Sequence, residues 1–320
     1  MVATLALIFG LSTLVFTGIM FYVGTFDFLT LGIFVVSFNI IQWLIAPYLV
    51  GAIYKVREMK ADENPKLHQM VSDLSRKSGI SVPKLMLSQI PLPNAFAYGS
   101  PVSGSRVAVT QGLLSNLNDG EVEAVLGHEL GHLKHRDVQV MMVVSFLPAL
   151  CYYIGYSLML SGMFGGNQQG KGNNNGNGAI IGIAFMAFSW VLNLFTLHVS
   201  RLREYYADRH SVSVVGDGAN KLSSGLAKIV HANAKTSKSV QQQQQSKNFS
   251  GFKSLFIANP DTSQADSAEL HAFENNQKLV DDLLTKKITF GDKLIEALST
   301  HPNIVKRLRA LQELNKNPYS

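Results

Sequence analysis

Residues 126–132 of this 320-residue chain read Leu-Gly-His-Glu-Leu-Gly-His, which is an H-E-x-x-H motif. Asn118, followed three residues later by Glu121, has the pattern of a capping box, so we predict a helix that begins there, carries the motif, and continues through Asp137 into the apolar run that follows. On such a helix His128 and His132 lie one turn apart on the same face. Two imidazoles placed in this way can each direct a nitrogen at a single tetrahedral Zn²⁺ ion.

A carboxylate accompanies the two histidines. Glu129 follows the first histidine directly and can accept the proton of a water molecule at such an ion. This combination is typical of zinc hydrolases. The motif alone also permits a simpler interpretation, in which a surface helix happens to carry two histidines.

The composition indicates a membrane protein rather than an ordinary soluble one. Hydrophobic residues make up 47% of the chain, charged residues make up 16%, and the mean hydropathy is +0.13. The net charge is +6, but the basic residues are scattered and form no stripe, so we expect no nucleic-acid partner. Cys151 is the one cysteine, which excludes an intrachain disulfide and a thiolate metal cluster. A metal ion would therefore be held by histidines and carboxylates.

Four apolar runs are long enough to cross the roughly 30 Å of a bilayer core. They cover residues 2–23, 29–50, 138–163 and 179–199. No basic segment precedes the first run and no clear cleavage site follows it, so we predict that this run is retained as a membrane helix. We therefore predict four transmembrane helices, arranged as two hairpins. For the third and fourth runs, the alternative is a pair of helices buried in a protein core.

The charges beside these runs predict how the chain crosses the membrane. The flanking basic residues are Lys55, Arg57, Lys60, Lys134, Arg136, Arg201 and Arg203. By the positive-inside rule, the N-terminus and the regions that carry these residues are cytoplasmic. The glycine- and asparagine-rich loop at 165–178 contains only Lys171 and falls outside. We therefore predict a multi-pass protein of the cell membrane, with the H-E-x-x-H helix on the cytoplasmic face.

The apolar runs divide the chain into four parts. Residues 1–54 form an N-terminal transmembrane hairpin, and residues 138–200 form a second hairpin that includes the glycine-rich loop. Residues 55–137 form the first part of a catalytic domain, with the H-E-x-x-H helix. Residues 201–320 form its second part.

The catalytic domain is predicted to be α+β and mainly helical. The apolar and β-branched residues at 84–89 and 106–110 predict strands, and residues 93–97 predict a short exposed edge strand. Residues 64–79 have helical spacing and end on a glycine. The tail at 294–314 predicts two helices joined by a loop.

A third metal ligand is predicted directly after the fourth apolar run. A catalytic zinc site usually takes two histidines and one carboxylate and keeps a position for water, and Glu204 is the best candidate. Asp208, one turn further on, can accept the N–H of a ligating imidazole, namely that of His128, and fix its tautomer. The alternative for Glu204 is an ion pair with Arg201 or Arg203 at the membrane interface.

The motifs taken together resemble the HtpX-type membrane zinc metalloproteases, which are relatives of the CAAX prenyl proteases. The resemblance runs from the first apolar run to about residue 315, and it rests on H-E-x-x-H, on Glu204-Tyr205-Tyr206-Ala207-Asp208 and on Ser299-Thr300-His301-Pro302. It implies a gluzincin-like catalytic domain with one Zn²⁺ per chain, held by His128, His132 and Glu204. It also implies endoproteolysis of damaged or misfolded membrane proteins.

The resemblance further implies roles for residues outside the ligand set. The segment Asn94-Ala95-Phe96-Ala97 matches a family segment that binds the substrate backbone as an added strand. His301 matches a residue near the active site, where it could donate to the oxyanion of the intermediate, or it could simply satisfy a helix start. For Arg307 we expect a structural role, which ties the tail to a carboxylate.

One region departs from the family pattern. Residues 232–290 include the run Gln241–Gln245 and are more polar than a compact family member needs. We expect a mobile surface insertion there.

Three functions remain open at this stage. The first is hydrolysis of polypeptide substrates, membrane proteins in particular, with Glu129 as general base and with the lipid bilayer as the surrounding partner. The second is a prenyl-protein endopeptidase, although that branch of the family has more than four spans. The third is a membrane-bound zinc-binding scaffold without turnover.

Overall fold

The computed structural model describes residues 28–164, 175–242 and 276–316. These residues form a mainly helical protein with one small sheet, as the α+β prediction requires. The helices before the fourth apolar run are α1 (Phe28–Ile53), α2 (Pro65–Ser78), α3 (Gln111–Asn116), α4 (Asp119–Lys134) and α5 (Asp137–Phe164). The later helices are α6 (Asn175–Val214), α7 (Gly218–Gln242), α8 (Asn276–Thr285), α9 (Phe290–Ala297) and α10 (Ile304–Lys316). The strands are β1 (Val56–Glu58), β2 (Lys84–Ser88), β3 (Ala95–Ser100) and β4 (Gly104–Thr110).

Three helices in the described ranges are long and apolar enough to cross a membrane. They cover Gly32–Ile53, Asp137–Met163 and Gly178–Val214. In the most apolar window of the second and third, only 22% of the residues are buried, which counts against helices enclosed in a protein core. The predicted first span, at 2–23, lies outside the described residues, as do residues 165–174 of the glycine-rich loop.

The chain divides into two compact units. One unit combines Met1–Trp43 with Gln139–Val199, and the other combines Leu44–Val138 with Ser200–Ser320. The first unit contains most of the apolar helices. The second contains the sheet, α4 and the C-terminal helices, and all the candidate site residues belong to it.

The sheet has the strand order β1-β2-β4-β3. Strand β2 pairs with β4 in parallel, whereas β1 pairs with β2 and β3 pairs with β4 in antiparallel. The alternation in β4 sends Val107 and Val109 into the helical core, while Ala108 packs on the opposite face with Phe96 and Tyr54. Both predicted strands, at 84–89 and 106–110, are therefore confirmed. Strand β3 lies at the edge of the sheet, as predicted.

Helices α2 and α4 begin where their capping residues predict. The Asn64 side chain accepts the N–H of Leu67 at the start of α2, and Gly79 ends that helix with a φ of 69°, a left-handed conformation that costs glycine little. At the start of α4 the capping box is complete, because the Asn118 and Glu121 side chains each accept the other residue's backbone N–H.

The end of α4 differs from the sequence prediction. A helix that continues without interruption from the motif into the third apolar run was expected, but α4 ends at Lys134 and α5 begins at Asp137. Between them Arg136 has a φ of 52°, which is unfavourable for a residue with a side chain. The break turns Asp137 back toward His132, and their hydrogen bond helps to offset its cost.

The polar region at 232–290 contains part of the core. Helix α8 buries Leu279, Val280 and Leu283 in the same cluster as Leu226 of α7. The expectation of a surface insertion is therefore wrong for α8, because three apolar residues at helical spacing were hidden among polar neighbours. Residues 243–275 lie outside the described part of the chain.

Candidate metal centre

Three donor atoms converge at one point in the second unit. The Nε2 atoms of His128 and His132, both on α4, lie 3.2 Å apart. The carboxylate of Glu204 on α6 lies 3.6 Å from the first nitrogen and 3.7 Å from the second. Donor atoms at about 2.0–2.2 Å from a tetrahedral zinc ion are about 3.4 Å from one another. The three residues therefore fit one shared divalent cation, and within the described ranges they form the one group of this kind.

Two glycines in the motif allow α6 to approach α4. A Cβ atom on Gly131 would lie 3.1 Å from the Cα atom of Ala207, and one on Gly127 would lie 3.1 Å from the hydroxyl of Ser211. That hydroxyl donates to the carbonyl of Ala124 at 2.6 Å, which joins the two helices. The L-G-H-E-L-G-H stretch thus supplies the histidines and also the close helix contact that brings Glu204 to them.

The imidazole of His128 is held by a fully buried carboxylate. Asp208 lies 2.8 Å from its Nδ1 atom. Arg307, on α10, donates to both oxygens of Asp208, at 2.9 and 2.5 Å, and its third nitrogen lies 3.1 Å from Glu204. The expectation that Arg307 ties the tail to a carboxylate is therefore confirmed. One guanidinium joins the candidate third ligand to the residue that orients the first.

The imidazole of His132 is held in the same way by a residue that the sequence interpretation missed. Asp137 accepts from its Nδ1 atom at 2.6 Å, and the Nε atom of Arg203 lies 3.0 Å from the same oxygen. On an uninterrupted helix, residue 137 would lie well off the face of His132, five residues away. Only the break at Arg136 brings it back, so no helical spacing in the sequence points to this contact.

These contacts leave the Nε2 lone pairs for a ligand. With each Nδ1–H donating to a carboxylate, both imidazoles, when neutral, present unprotonated Nε2 atoms to the same point. The two nitrogens are 3.2 Å apart, which suits a cation between them. Without a cation, burial lowers the pKa of His128, but Asp208 and Glu204, which accept hydrogen bonds from it, outweigh burial and raise that pKa to about 9, so a cation that binds must displace a proton from His128.

Glu129 lies between the histidines and the edge of the sheet. Its side chain is buried, and its Oε2 atom accepts the backbone N–H of Ala97, in β3, at 2.7 Å. In antiparallel pairing the backbone groups of alternate residues point to opposite edges of a strand, so those of Phe96 and Tyr98 bond to β4. The groups of Ala95 and Ala97 point away from β4, on the side of Glu129.

The predicted substrate-binding segment is an edge strand but not an exposed one. Ala95 and Phe96 are buried, and Phe96 packs on the ring of Tyr54 with centroids 5.1 Å apart. Asn94 is also buried, and its backbone exchanges hydrogen bonds with Thr110. The side chains therefore anchor the strand in the core, which leaves the backbone of the outer edge for recognition.

His301 lies beside the candidate third ligand, in the loop between α9 and α10. Its Nε2 atom is 3.6 Å from Glu204, and its Nδ1 atom is 3.0 Å from the hydroxyl of Thr300. Burial and the nearby Arg307 lower the pKa of His301, although Glu204 opposes them. A neutral imidazole at the edge of the site follows from this arrangement.

The alternative pairing for Glu204 does not occur. Arg203 is directed at Asp137, and Arg201 donates to the backbone carbonyls at the end of α9. The cation beside Glu204 is Arg307 instead.

Comparisons with known proteins agree with this geometry. The model of Peptidase family M48 matches residues 61–315. The chain is 35% identical over 315 residues to a protease HtpX homolog of Thermoplasma acidophilum, covering 96% of this chain and 93% of that protein. It is 39% identical over 305 residues to a protease HtpX homolog of Aeropyrum pernix, covering 93% and 89%.

A solved structure shares the fold. The crystal structure of S. mikatae Ste24p superposes with a TM-score of 0.54 at 17% identity, and the match covers 97% of this chain. The chain spans 64% of the length of that protein. The resemblance noted from the sequence is thus confirmed: the chain belongs to Peptidase family M48 and is a metalloprotease.

Proposed function

We propose that the chain is a membrane-bound, zinc-dependent endopeptidase that hydrolyses misfolded or damaged membrane proteins. The observation that carries the metal assignment is the convergence of His128, His132 and Glu204: the two Nε2 atoms are 3.2 Å apart, and one carboxylate oxygen of Glu204 lies 3.6 Å from the first and the other lies 3.7 Å from the second. Members of the family are zinc-dependent in general, and the nitrogen and carboxylate donors suit that ion. We assign one Zn²⁺ to each chain.

A zinc ion bound there supplies Lewis-acid chemistry, which lowers the pKa of a water molecule and polarises the scissile carbonyl. Glu129 takes the proton from that water and returns it to the leaving amine. The hydrogen bond from Ala97 holds this carboxylate in place, beside the strand edge where the substrate arrives. Glu129 therefore carries the proton from the water to the leaving amine while its orientation is held by the strand.

The outer edge of β3 supports a role in holding the substrate. A peptide that adds to this edge as a further strand would pair with the backbone of Ala95 and with the carbonyl of Ala97, while the N–H of Ala97 stays on Glu129. Asn94 and Phe96 fix the strand from within the core. Such recognition reads the backbone rather than the side chains, which suits an enzyme that accepts many unfolded substrates.

His301 and Asp208 complete the proposed site. His301, neutral and next to Glu204, is placed to donate to the oxyanion of the tetrahedral intermediate. Asp208 positions His128, and Asp137 does the same for His132.

For the membrane arrangement we propose four spans, with the site on the cytoplasmic face. Three apolar helices in the described ranges and the uncharged run at 2–23 support the count. The basic residues after α1 and around α6 support the orientation. The fold shared with Ste24p, at 17% identity, gives no reason to prefer a prenyl-protein substrate, and a scaffold without turnover is at odds with membership of a peptidase family.

The test is the Glu129→Gln variant of the detergent-solubilised full chain, with casein as substrate. Glutamine can still accept from Ala97 but cannot take up a proton, so we expect unchanged zinc content and a loss of hydrolysis of at least about 100-fold. The matched control is His128→Ala, which should lose both zinc and activity. Casein hydrolysis that persists in pure, zinc-loaded Glu129→Gln protein would refute the assigned role.

A further inference from the structure

Helix α9 presents its apolar side chains to the outside. Phe290, Leu294 and Ile295 are 81, 56 and 53% exposed, and Leu298, directly after the helix, is 59% exposed. Phe290, Leu294 and Leu298 follow one another at a spacing of four and form a stripe along the helix, and Ile295 borders it. None of the residues of α9, all of which lie in the described range 276–316, is buried.

The polar face of α9 is directed inward. Glu296 has a side chain only 10% exposed; it pairs with Lys306 of α10 and accepts the N–H of Asn303 at 3.3 Å. Asp292 is used in the capping box with Thr289 at the start of the helix. A helix at a water-facing surface has the opposite arrangement, with its apolar stripe toward the core. The outward stripe therefore calls for an apolar partner.

The position of α9 along the fold identifies that partner. Arg201 of α6 donates to the carbonyls of Glu296, Ala297 and Ser299 at 2.9, 3.1 and 2.9 Å, which holds the end of α9 on α6. Arg201 lies two residues after the apolar run 179–199, a rise of about 3 Å along the helix. The end of α9 is thus fixed at the level where α6 leaves the bilayer.

We propose that α9 is an interfacial helix that inserts its apolar stripe into the cytoplasmic leaflet of the membrane. Leu202, which directly follows the arginine that holds α9, is itself 42% exposed. Because the end of α9 lies at the level where α6 leaves the bilayer, lipid can cover the apolar stripe, and no further protein is needed to cover it. Exposed Lys287 and Lys293, just before and within the helix, suit the anionic headgroups.

This arrangement brings the membrane surface close to the chemistry. The loop after α9 carries His301, whose Nε2 atom is 3.6 Å from Glu204. A polypeptide segment released from the bilayer would meet α9 and the metal centre at nearly the same depth. The inference rests on one part of the proposed function, namely that α6 crosses a bilayer, and is independent of the peptidase mechanism.

The test measures the depth of α9 in the full chain reconstituted into lipid nanodiscs. Cys151 is replaced by serine, since it is the one cysteine, and single cysteines are introduced at Phe290, Leu294 and Leu298 for nitroxide labelling. Collision rates with oxygen, which concentrates in lipid, are compared with those of a water-soluble nickel chelate. Phe195→Cys is the reference for lipid, and Val82→Cys, at a 59% exposed residue before β2, is the reference for water.

We expect the three α9 labels to favour oxygen over the chelate, as the Phe195 label does. Labels that favour the chelate, as at Val82, would show that α9 faces water and would overturn the proposal. Immobilised labels that neither reagent reaches would also overturn it, because they would show that protein covers the stripe. If the Phe195 label itself favours the chelate, the proposed membrane span fails instead, so the two failures are distinguishable. Retained zinc and casein hydrolysis confirm that each labelled protein is folded.

Discussion

The two histidines of the metal centre are held by the same chemistry in very different surroundings. His128 has a side chain 1% exposed, and its partner Asp208 is clamped by Arg307 from the C-terminal helix α10. His132 has a side chain 16% exposed, and its partner Asp137 lies five residues away, with Arg203 beside it. One imidazole therefore depends on contacts between distant parts of the chain, and the other on a local break between two helices.

This difference indicates how strongly each side of the site depends on its charged residues. A buried ion pair is costly to disrupt, because the remaining charge has neither water nor a partner. A partly exposed pair loses less, because water can replace the missing group. The His128 side should therefore be sensitive to any loss of charge, whereas the His132 side should tolerate it better.

The largest expected effect is that of Arg307→Leu. Removal of this guanidinium leaves Asp208 and Glu204 buried without their shared cation, so we expect a loss of about 3–5 kcal/mol in the free energy of unfolding. Its counterpart is Arg203→Gln, which removes the 19% exposed cation on the other side; Asp137 keeps its hydrogen bond with His132, so the expected loss is smaller, about 1.5–3 kcal/mol. Thermal unfolding of both variants in detergent compares the two. Equal losses would contradict the distinction drawn between the two sides.

A smaller effect is expected when the carboxylates are neutralised one at a time. Asp208→Asn and Asp137→Asn each weaken the hydrogen bond that orients a ligand, and such changes lower metal affinity by about 10- to 100-fold. We expect the larger loss for Asp208→Asn, because Arg307 then also lacks one of its two carboxylates. Zinc affinity measured by competition with a chromophoric chelator decides this. A larger loss for Asp137→Asn would reverse the ranking.

A further expected effect concerns the pH dependence of zinc binding. The pKa of His128 in the chelator-stripped protein is raised from 6.5 to about 9, so at pH 7 this imidazole holds a proton that zinc must displace. Zinc affinity should therefore rise by about tenfold per pH unit and flatten near pH 9, whereas with the ordinary pKa it would flatten near pH 6.5.

The carboxylate variants sharpen this pH test. Because Asp208 is one cause of the raised pKa, Asp208→Asn should move the flattening to lower pH. Asp137 is not among its causes, so Asp137→Asn should leave the pH dependence in place. Competition titrations with a chromophoric chelator at several pH values between 6.5 and 9.5 measure the zinc affinity of each protein. A wild-type affinity that is flat above pH 7 would show that His128 is not protonated.

The sequence predicted the parts of the site that depend on local patterns. The start of α4 follows from the Asn118–Glu121 capping box, which needs only four consecutive residues. The strands β2 and β4 follow from the apolar and β-branched residues at 84–89 and 106–110. Glu204 and Asp208 were proposed because helical spacing and the requirement for a carboxylate ligand both point to them, and the structure brings both beside His128.

The remaining parts depend on geometry that no local pattern encodes. Asp137 reaches His132 only because Arg136 adopts a left-handed conformation, and the sequence there contains no glycine that would indicate a break. Helix α8 was missed because its ten residues come at the end of a long polar stretch, and the whole of 232–290 was interpreted as one polar insertion. That the polar face of α9 points inward could be seen only in the tertiary structure, because an amphipathic pattern in the sequence does not show which face of a helix points outward.

The short turn at Arg136 has a further consequence for how the protein can be dissected. Asp137 is the first residue of α5, and Glu204 lies on α6, so the two helices of the apolar hairpin each contribute a side chain to the metal centre. A truncated form without this hairpin would lose its natural link between the two halves of the catalytic part. Any water-soluble derivative must therefore keep residues 137 and 204 in register by an engineered connection if the proposed zinc site is to form.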